Sequence, residues 1–271
     1  MTEIKAEEGL SVARACKLVS LVRCMYYYES VRDDSAVEAK LAWYGEKLPS
    51  RGFPEYFKRI RQEGLRWNHK RVRRVYRNLG MVHRRKIKRR IPNPAKQVLL
   101  QPIQPNLTWS MDFMEDRLEN GRKFRTFNII DDYNREALTI DIDFSFPSSS
   151  VVEMVKRVID WRGKPEQIRT DNGTEFIAKA FEGFCSNSGI EHIKIQKGKP
   201  MQNGYVERFN RHYREDVLNM HIFETISQVR EKTEEFIDDY NTNHPHDSLG
   251  NLSPIEFMRV KYSEKIPNLA S

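Results

Sequence analysis

The chain lacks any run of apolar residues approaching the roughly 18 to 20 that a membrane span requires. Its acidic start, Met1-Thr-Glu-Ile-Lys-Ala-Glu-Glu8, is not a secretory signal. A soluble cytoplasmic protein is expected. Cysteine is scarce, with only Cys16, Cys24 and Cys185 among 271 residues. The odd count and the lack of a Cys-x-x-Cys pair exclude a disulfide framework and a zinc knuckle, leaving buried reduced thiols as the reading. Acids are scarce in one place. Residues 1–100 hold 10 Asp+Glu against 24 Lys+Arg, net +14, whereas the other 171 residues hold 28 against 22, net −6. From Arg51 to Lys96 the imbalance reaches 17 basic to 2 acidic residues, which marks a grip on nucleic acid more than a merely solvated face.

The basic region reads as short helices. Leu10 to Ser20 forms one with Leu10, Ala13, Cys16 or Lys17, and Val19 near one stripe, and a second piece holds Cys24 and Tyr26-Tyr27-Tyr28. Together they predict a helix-turn-helix. A stronger case is Tyr56–Gln62, the turn Gly64-Leu-Arg-Trp67, and a helix from His69 to Leu79 capped by Asn68 and stopped at Gly80. Val72, Val75, Tyr76 and Leu79 form its expected buried stripe. Lys70, Arg71, Arg73, Arg74 and Arg77 cover the rest and suit phosphate and major-groove contacts. The following Arg84-Arg85-Lys86-Ile-Lys88-Arg-Arg90 run and a linker to about Asn106 can track a DNA backbone.

From Thr108 the pattern turns to strands. Trp109, Met111 and Phe113 face one side, and Ser110, Asp112 and Met114 the other. A hairpin turn at Glu119-Asn-Gly-Arg122 leads to strands over 123–131 and 136–144. A helix from Ser148 to Gly163, a strand ending at Asp171, a helix from Thr174 to about Asn187, a strand over 190–195 and a helix from near Pro200 follow. The order predicts a mixed α/β sheet whose first and fourth strands are neighbours, with Asp112 beside Asp171. On the last helix Asn203, Glu207, Asn210 and Arg214 share a polar face beside the stripe Val206, Phe209, Tyr213, Val217 and Met220. Asn203, Asn210, Arg211 and Arg214, with Lys197 and Lys199 in the preceding loop, are the expected phosphate contacts near the three acids. Asp131 and Asp132 end a strand and are expected to cap or pair with Arg135; Glu175 suits a first helical turn.

Three motifs carry a resemblance: Trp109-Ser-Met-Asp112, Thr170-Asp171-Asn-Gly-Thr-Glu-Phe176, and Gly198-Lys-Pro-Met-Gln-Asn203-Gly-Tyr-Val-Glu207-Arg-Phe-Asn210. With 35 residues between Asp171 and Glu207, they resemble the motifs of DDE transposases and retroviral integrases. Within that superfamily the chain resembles the second reading frame of the IS-three group of bacterial insertion sequences, over about residues 10–262. The Asn68–Gly80 helix and the tail Tyr240-Asn-Thr-Asn-His-Pro-His-Asp-Ser-Leu-Gly250 share in it. The retroviral His/Cys zinc module is missing, and so is any heptad run, so an upstream-frame partner or fusion is expected to supply end recognition.

The resemblance implies a ribonuclease-H-like mixed five-stranded sheet with flanking helices, preceded by small all-α helix-turn-helix modules. It implies Asp112, Asp171 and Glu207 as catalytic ligands of Mg²⁺, for which Mn²⁺ substitutes, with two ions per site. The reaction implied is cleavage at element ends and 3′-hydroxyl strand transfer, on double-stranded DNA, by a homo-oligomer associated with the nucleoid. The expected layout is a helix-turn-helix-like region at 1–48, a basic DNA-binding region at 49–90, a linker at 91–107, the catalytic core at 108–222 and a helical extension at 223–271. A loop at Asn243-His-Pro-His-Asp247 is expected either to contact DNA or a second protomer, or simply to form a structured turn. Two other readings meet the same residues, a DNA-binding regulator with a degenerate core and a nuclease that cuts without joining.

Overall fold

The computed structural model describes residues 11–28, 33–82, 99–196 and 200–265. It divides into two compact units, residues 1–40 and 41–271. In the first, α1 (Val12–Leu18) and the single turn α2 (Arg23–Tyr26) follow one another. Ala15 and Cys16 are the buried residues of α1, while Ala13 and Val19 are exposed, so among the described residues the expected stripe survives only at Cys16; Leu10 lies outside them. Helix α3 (Ser35–Lys47) leads into the second unit.

There, α4 (Phe53–Gln62) and α5 (His69–Asn78) form the basic helical pair. Asn68 caps α5 by accepting a hydrogen bond from the Lys70 amide at 2.8 Å, which satisfies one of the orphan donors of the first turn. Val72, Val75 and Tyr76 are buried as expected; Leu79 is not, being 41% exposed where the helix has already ended.

The sheet comprises β1 (Thr108–Arg117), β2 (Lys123–Asp131), β3 (Ala137–Asp143), β4 (Gln167–Thr170) and β5 (Glu191–Lys194), in the order β3-β2-β1-β4-β5. The first three are antiparallel, and β4 and β5 run parallel to β1. Helix α6 (Ser148–Arg162) makes the crossover from β3 to β4 and stops at Gly163, whose φ of 91° is a left-handed stop. One face of the sheet packs Trp109, Met111, Phe127 and Ile129 against Val151, Val155 and Val158 of α6. This strand order, with helices on both faces, is the expected ribonuclease-H-like architecture.

The predicted Thr174–Asn187 helix is two helices, α7 (Thr174–Ile177) and α8 (Lys179–Asn187), broken at Ala178 in extended conformation. Phe176 and Phe181 explain the break. Five residues apart on one helix they would point about 140° apart; the break lets both enter the same cluster with no exposure.

On the other face, α9 (Gly204–Tyr213) is preceded by a 3₁₀ turn at Pro200–Asn203 and followed by a wide π turn at Arg214–Leu218. Val206, Phe209, Tyr213 and Val217 are buried. The π turn shifts the phase of the stripe, so Leu218 goes in and Met220, expected to be buried, is 38% exposed. Helix α10 (Ile226–Asn243), opened by a capping box of Thr225 and Gln228, covers α9 with Val229, Phe236 and Tyr240, and α11 (Pro254–Lys265) ends the described chain.

Ion pairs bind α4 to this C-terminal layer. Arg59 is buried, meeting Glu55 at 3.1 Å and Asp239 of α10 at 2.9 Å; Arg51 pairs with Asp216, and Lys58 with Asp247. His244 and His246, in the loop expected to contact DNA or a second protomer or to form a structured turn, are buried. His244 stacks on Tyr240 and lies 3.2 Å from Glu55, so these rings belong to the packing between α4, α9 and α10.

Candidate active site

Strand pairing decides where the acids stand. In β1 and β4 the partners are Thr108 with Gln167, Trp109 with Ile168 and Ser110 with Arg169. Two residues further along the same register, Asp112 comes level with Asp171, on the same side of the sheet because parallel partners share a face. Asp171 follows the last residue of β4 and accepts the Gly173 amide at 2.9 Å, a short Asx turn. Gly173 leaves that carboxylate room, since a Cβ there would stand 3.0 Å from its oxygen and press it aside by a few tenths of an ångström. Glu207 arrives from the first turn of α9, which packs on the face carrying Asp112.

The electrostatics report the same convergence. The Asp112 carboxyl is pushed up to about 7, first by burial and then by the negative charge of Asp171 and of Glu207, against the Phe113 amide and Asn210, which favour the ionised form. Burial also raises Glu207, and Arg211 opposes the rise. Among the described residues no group of three His, Cys, Asp or Glu stands close enough to hold an ion. Asp112 thus senses the charges of the other two acids, and the three are not closed into a cage. An all-oxygen set of converging acids is the donor chemistry a hard divalent cation requires.

Asn210 and Asn203 depart from expectation. Asn210 is 8% exposed and donates to Asp112 Oδ2 at 2.7 Å while accepting from Asn128 Nδ2 at 2.7 Å. Asn203, 2% exposed, donates to the Met111 carbonyl at 3.3 Å. Neither can meet a phosphate from such a position; both fix α9 to β1. Arg214 is also turned to protein, contacting Asp116 at 3.2 Å and the Glu115 carbonyl at 2.9 Å. Arg211 is exposed. Lys70, Arg73, Arg74 and Arg77 line one shallow depression on α5, and Arg71 is half-buried on the same helix. Arg84, Arg85, Lys86, Lys88, Lys197 and Lys199 lie outside the described residues.

Other neighbouring acids have structural partners. Of the expected capping or pairing with Arg135, Asp131 caps the turn by accepting the amides of Asn106 and Tyr133, whereas Asp132 pairs with Arg169. Arg135, with a left-handed φ of 64°, instead lays its guanidinium 3.5 Å from the Tyr205 ring centroid, at the start of α9. Glu175 pairs with Arg125. Asn128 was not singled out from the sequence, yet it faces Asp112 across the β1–β2 ladder. The alternation of β2 contained that signal, because Thr126 and Asn128 are polar on a face that should be apolar.

Comparison with known proteins gives the family. The chain is 34% identical over 259 residues to the insertion element IS407 uncharacterized 31.7 kDa protein of Burkholderia multivorans, covering 95% of this chain and 94% of that one. The Integrase core domain family matches residues 102–200 and again 188–254. This chain belongs to the insertion-sequence DDE transposases. InsK of Escherichia coli, named as a transposase of the insertion sequence element IS150, is 26% identical over 238 residues, 82% of each chain, which fits the IS-three group. The HTLV-2 integrase catalytic core domain in complex with magnesium superposes on 57% of this chain and 97% of its own at 19% identity, with a TM-score of 0.44. As a transposase of the polynucleotidyl transferase class, the protein works in DNA transposition and integration. No helix among its described residues is long and apolar enough to cross a membrane.

Proposed function

We propose that this transposase cuts DNA at insertion-element ends and joins the freed 3′-hydroxyl to a second phosphodiester, with Asp112, Asp171 and Glu207 as the catalytic acids. The observation that supports this most is the coupling of Asp112 to the charges of both other acids across three separate elements. Those acids would hold Mg²⁺, or Mn²⁺ in its place, two ions per site. Bound there, such cations supply Lewis-acid activation of the attacking oxygen and charge stabilisation at the leaving oxygen. The residues themselves supply position. Asn210 orients Asp112, the Gly173 turn orients Asp171, and Asn203 and Arg135 seat the helix that presents Glu207. Residues 49–90 form the DNA grip in this reading, with Lys70, Arg71, Arg73, Arg74 and Arg77 of α5 on the phosphates and core residues 108–222 doing the chemistry. Two ends cut together call for a homo-oligomer on DNA, with an upstream-frame protein or fusion helping to recognise the ends.

Incubating the protein and any upstream-frame partner with labelled element ends and Mg²⁺ tests the reading. Cut and joined products are expected, both lost in Asp171→Asn and Glu207→Gln with end binding retained. Joining that persists in either variant would reject its residue as a ligand, and cutting without joining would favour the nuclease reading.

The proton on Asp112 adds a second expectation. With its carboxyl near 7, a cation must displace a proton below that pH, so Mn²⁺ affinity should weaken by up to about tenfold per pH unit between pH 7 and 5. Titration calorimetry at pH 5.5 and 8 reads this. Equal affinity at both would remove Asp112 from the ligand set.

A further inference from the structure

Between α4 and α5 opens a cleft of about 610 Å³ whose chemistry the duplex grip leaves unused. Its walls include Phe53, Phe57 and Tyr76, and His69 packs edge-on against both phenylalanines at 5.1 and 4.8 Å. Its rim holds Arg73 and Arg77, and no carboxylate lines it. Lys58 also lines it but is taken up by Asp247. Among the described residues neither Arg73 nor Arg77 meets an acid, and both are exposed. The same two arginines line the depression on the outer face of α5 together with Lys70 and Arg74. A strand lying on that cationic face therefore passes the mouth of an aromatic cleft.

Phosphates alone need cations and no aromatic wall. A wall of rings under a cationic rim is the combination that holds an unpaired nucleotide, the base stacked on the rings and the phosphate on the guanidinium groups. Bases still paired in a duplex keep their faces covered by their neighbours and cannot use it. We propose that this cleft receives one unpaired nucleotide of the DNA held by α5, its base against Phe53 and Phe57 and its phosphate on Arg73 and Arg77. The proposal rests on α5 being the DNA-binding helix, and the test separates the two.

The probe is a duplex bearing a single-nucleotide 3′ overhang of 2-aminopurine, compared with a blunt duplex of equal length, using the full chain. The overhang should bind about tenfold more tightly, the effect of one stacked base, with its fluorescence quenched. Phe57→Leu keeps an apolar residue at a half-buried position and should lose both the preference and the quenching while leaving blunt-duplex affinity unchanged. Equal affinities in the wild type, absent quenching, or a preference that survives Phe57→Leu would each overturn the proposal. An overhanging 5-iodouracil needs no variant: photocrosslinking within residues 50–58 or 69–77 upholds the cleft, and crosslinking only elsewhere rejects it. If the blunt duplex fails to bind, the role of α5 is wrong. The cleft is then decided by a short single strand carrying 2-aminopurine, whose quenching must depend on Phe57.

Discussion

Asparagine at position 112 is expected to abolish strand cutting and joining, by on the order of 10³-fold or more, and yet to raise the thermal stability of the metal-free protein at pH 8. Both effects come from one property. Asp112 lies among its own kind, half-buried and facing the charges of Asp171 and Glu207, so its carboxyl is held near 7 instead of in the ordinary carboxylate range. Below about pH 4 the acid is protonated whether the chain is folded or not, and the raised value confers its full stabilisation there. As pH rises through 7 the folded protein must ionise Asp112 against its neighbours, and that contribution is lost. Asparagine never ionises, and its side-chain oxygen can still accept the bond from Asn210. The gain at pH 8 is on the order of 1 to 3 kcal/mol, about zero near pH 4. Melting curves of both proteins without metal at pH 4.5, 6 and 8 measure it. A constant difference across that range would mean that neither burial nor the neighbouring acids raise the Asp112 carboxyl in the folded protein. Circular dichroism and end binding by the same samples show whether lost activity reflects chemistry or folding.

Much of this site was legible because it rests on two periods. Strand alternation places Asp112 opposite the Trp109-Met111 face, and the short connection after β4 leaves Asp171 at a strand end. The two helices predicted on cap and stop residues, at Asn68 and Gly163, lie close to where those residues put them. Burial was less legible wherever a polar residue had a tertiary partner. Asn203 and Asn210 share a helical face with Glu207, and spacing alone cannot distinguish a face turned to DNA from one turned to a polar strand. Thr126 and Asn128, buried in β2, make that strand polar on the α9 side. Irregular turns were equally hidden: neither the break at Ala178 nor the π turn at Arg214–Leu218 has a proline or glycine to announce it. In each case the packing of particular large side chains outweighs the local helical period. The ion pairs of α4 were hidden for a different reason, since Arg59 looks like one more member of a basic run.

Replacing Arg59 by leucine is the largest stability loss expected outside the sheet. Its guanidinium bonds Asp239 through two nitrogens, at 3.1 and 2.9 Å, and Glu55 at 3.1 Å, with 6% of the side chain exposed. Burial alone would lower its basicity, but the two carboxylates more than offset that, and Arg59 in turn holds Asp239 below the usual carboxylate range. Removing the cation leaves two acids facing one another beside His244, with Lys47 at 3.3 Å from Asp239 as a more exposed substitute. A buried pair broken on one side costs about 3 to 5 kcal/mol, which in a chain of this size lowers Tm by roughly 10 °C. The deficit should be greatest near pH 7 and shrink as pH falls, because the orphaned acids escape the penalty by taking up protons. Arg59→Leu with Asp239→Leu should recover most of it, since an apolar replacement of both partners leaves less charge stranded. A double variant no more stable than Arg59→Leu would place the loss in packing, not in unpaired charge. Because α4 supports α5 and Asp239 lies on the helix covering α9, the single variant should also weaken end binding at temperatures well below its Tm. This pair then joins the DNA-gripping helices to the layer that seats Glu207.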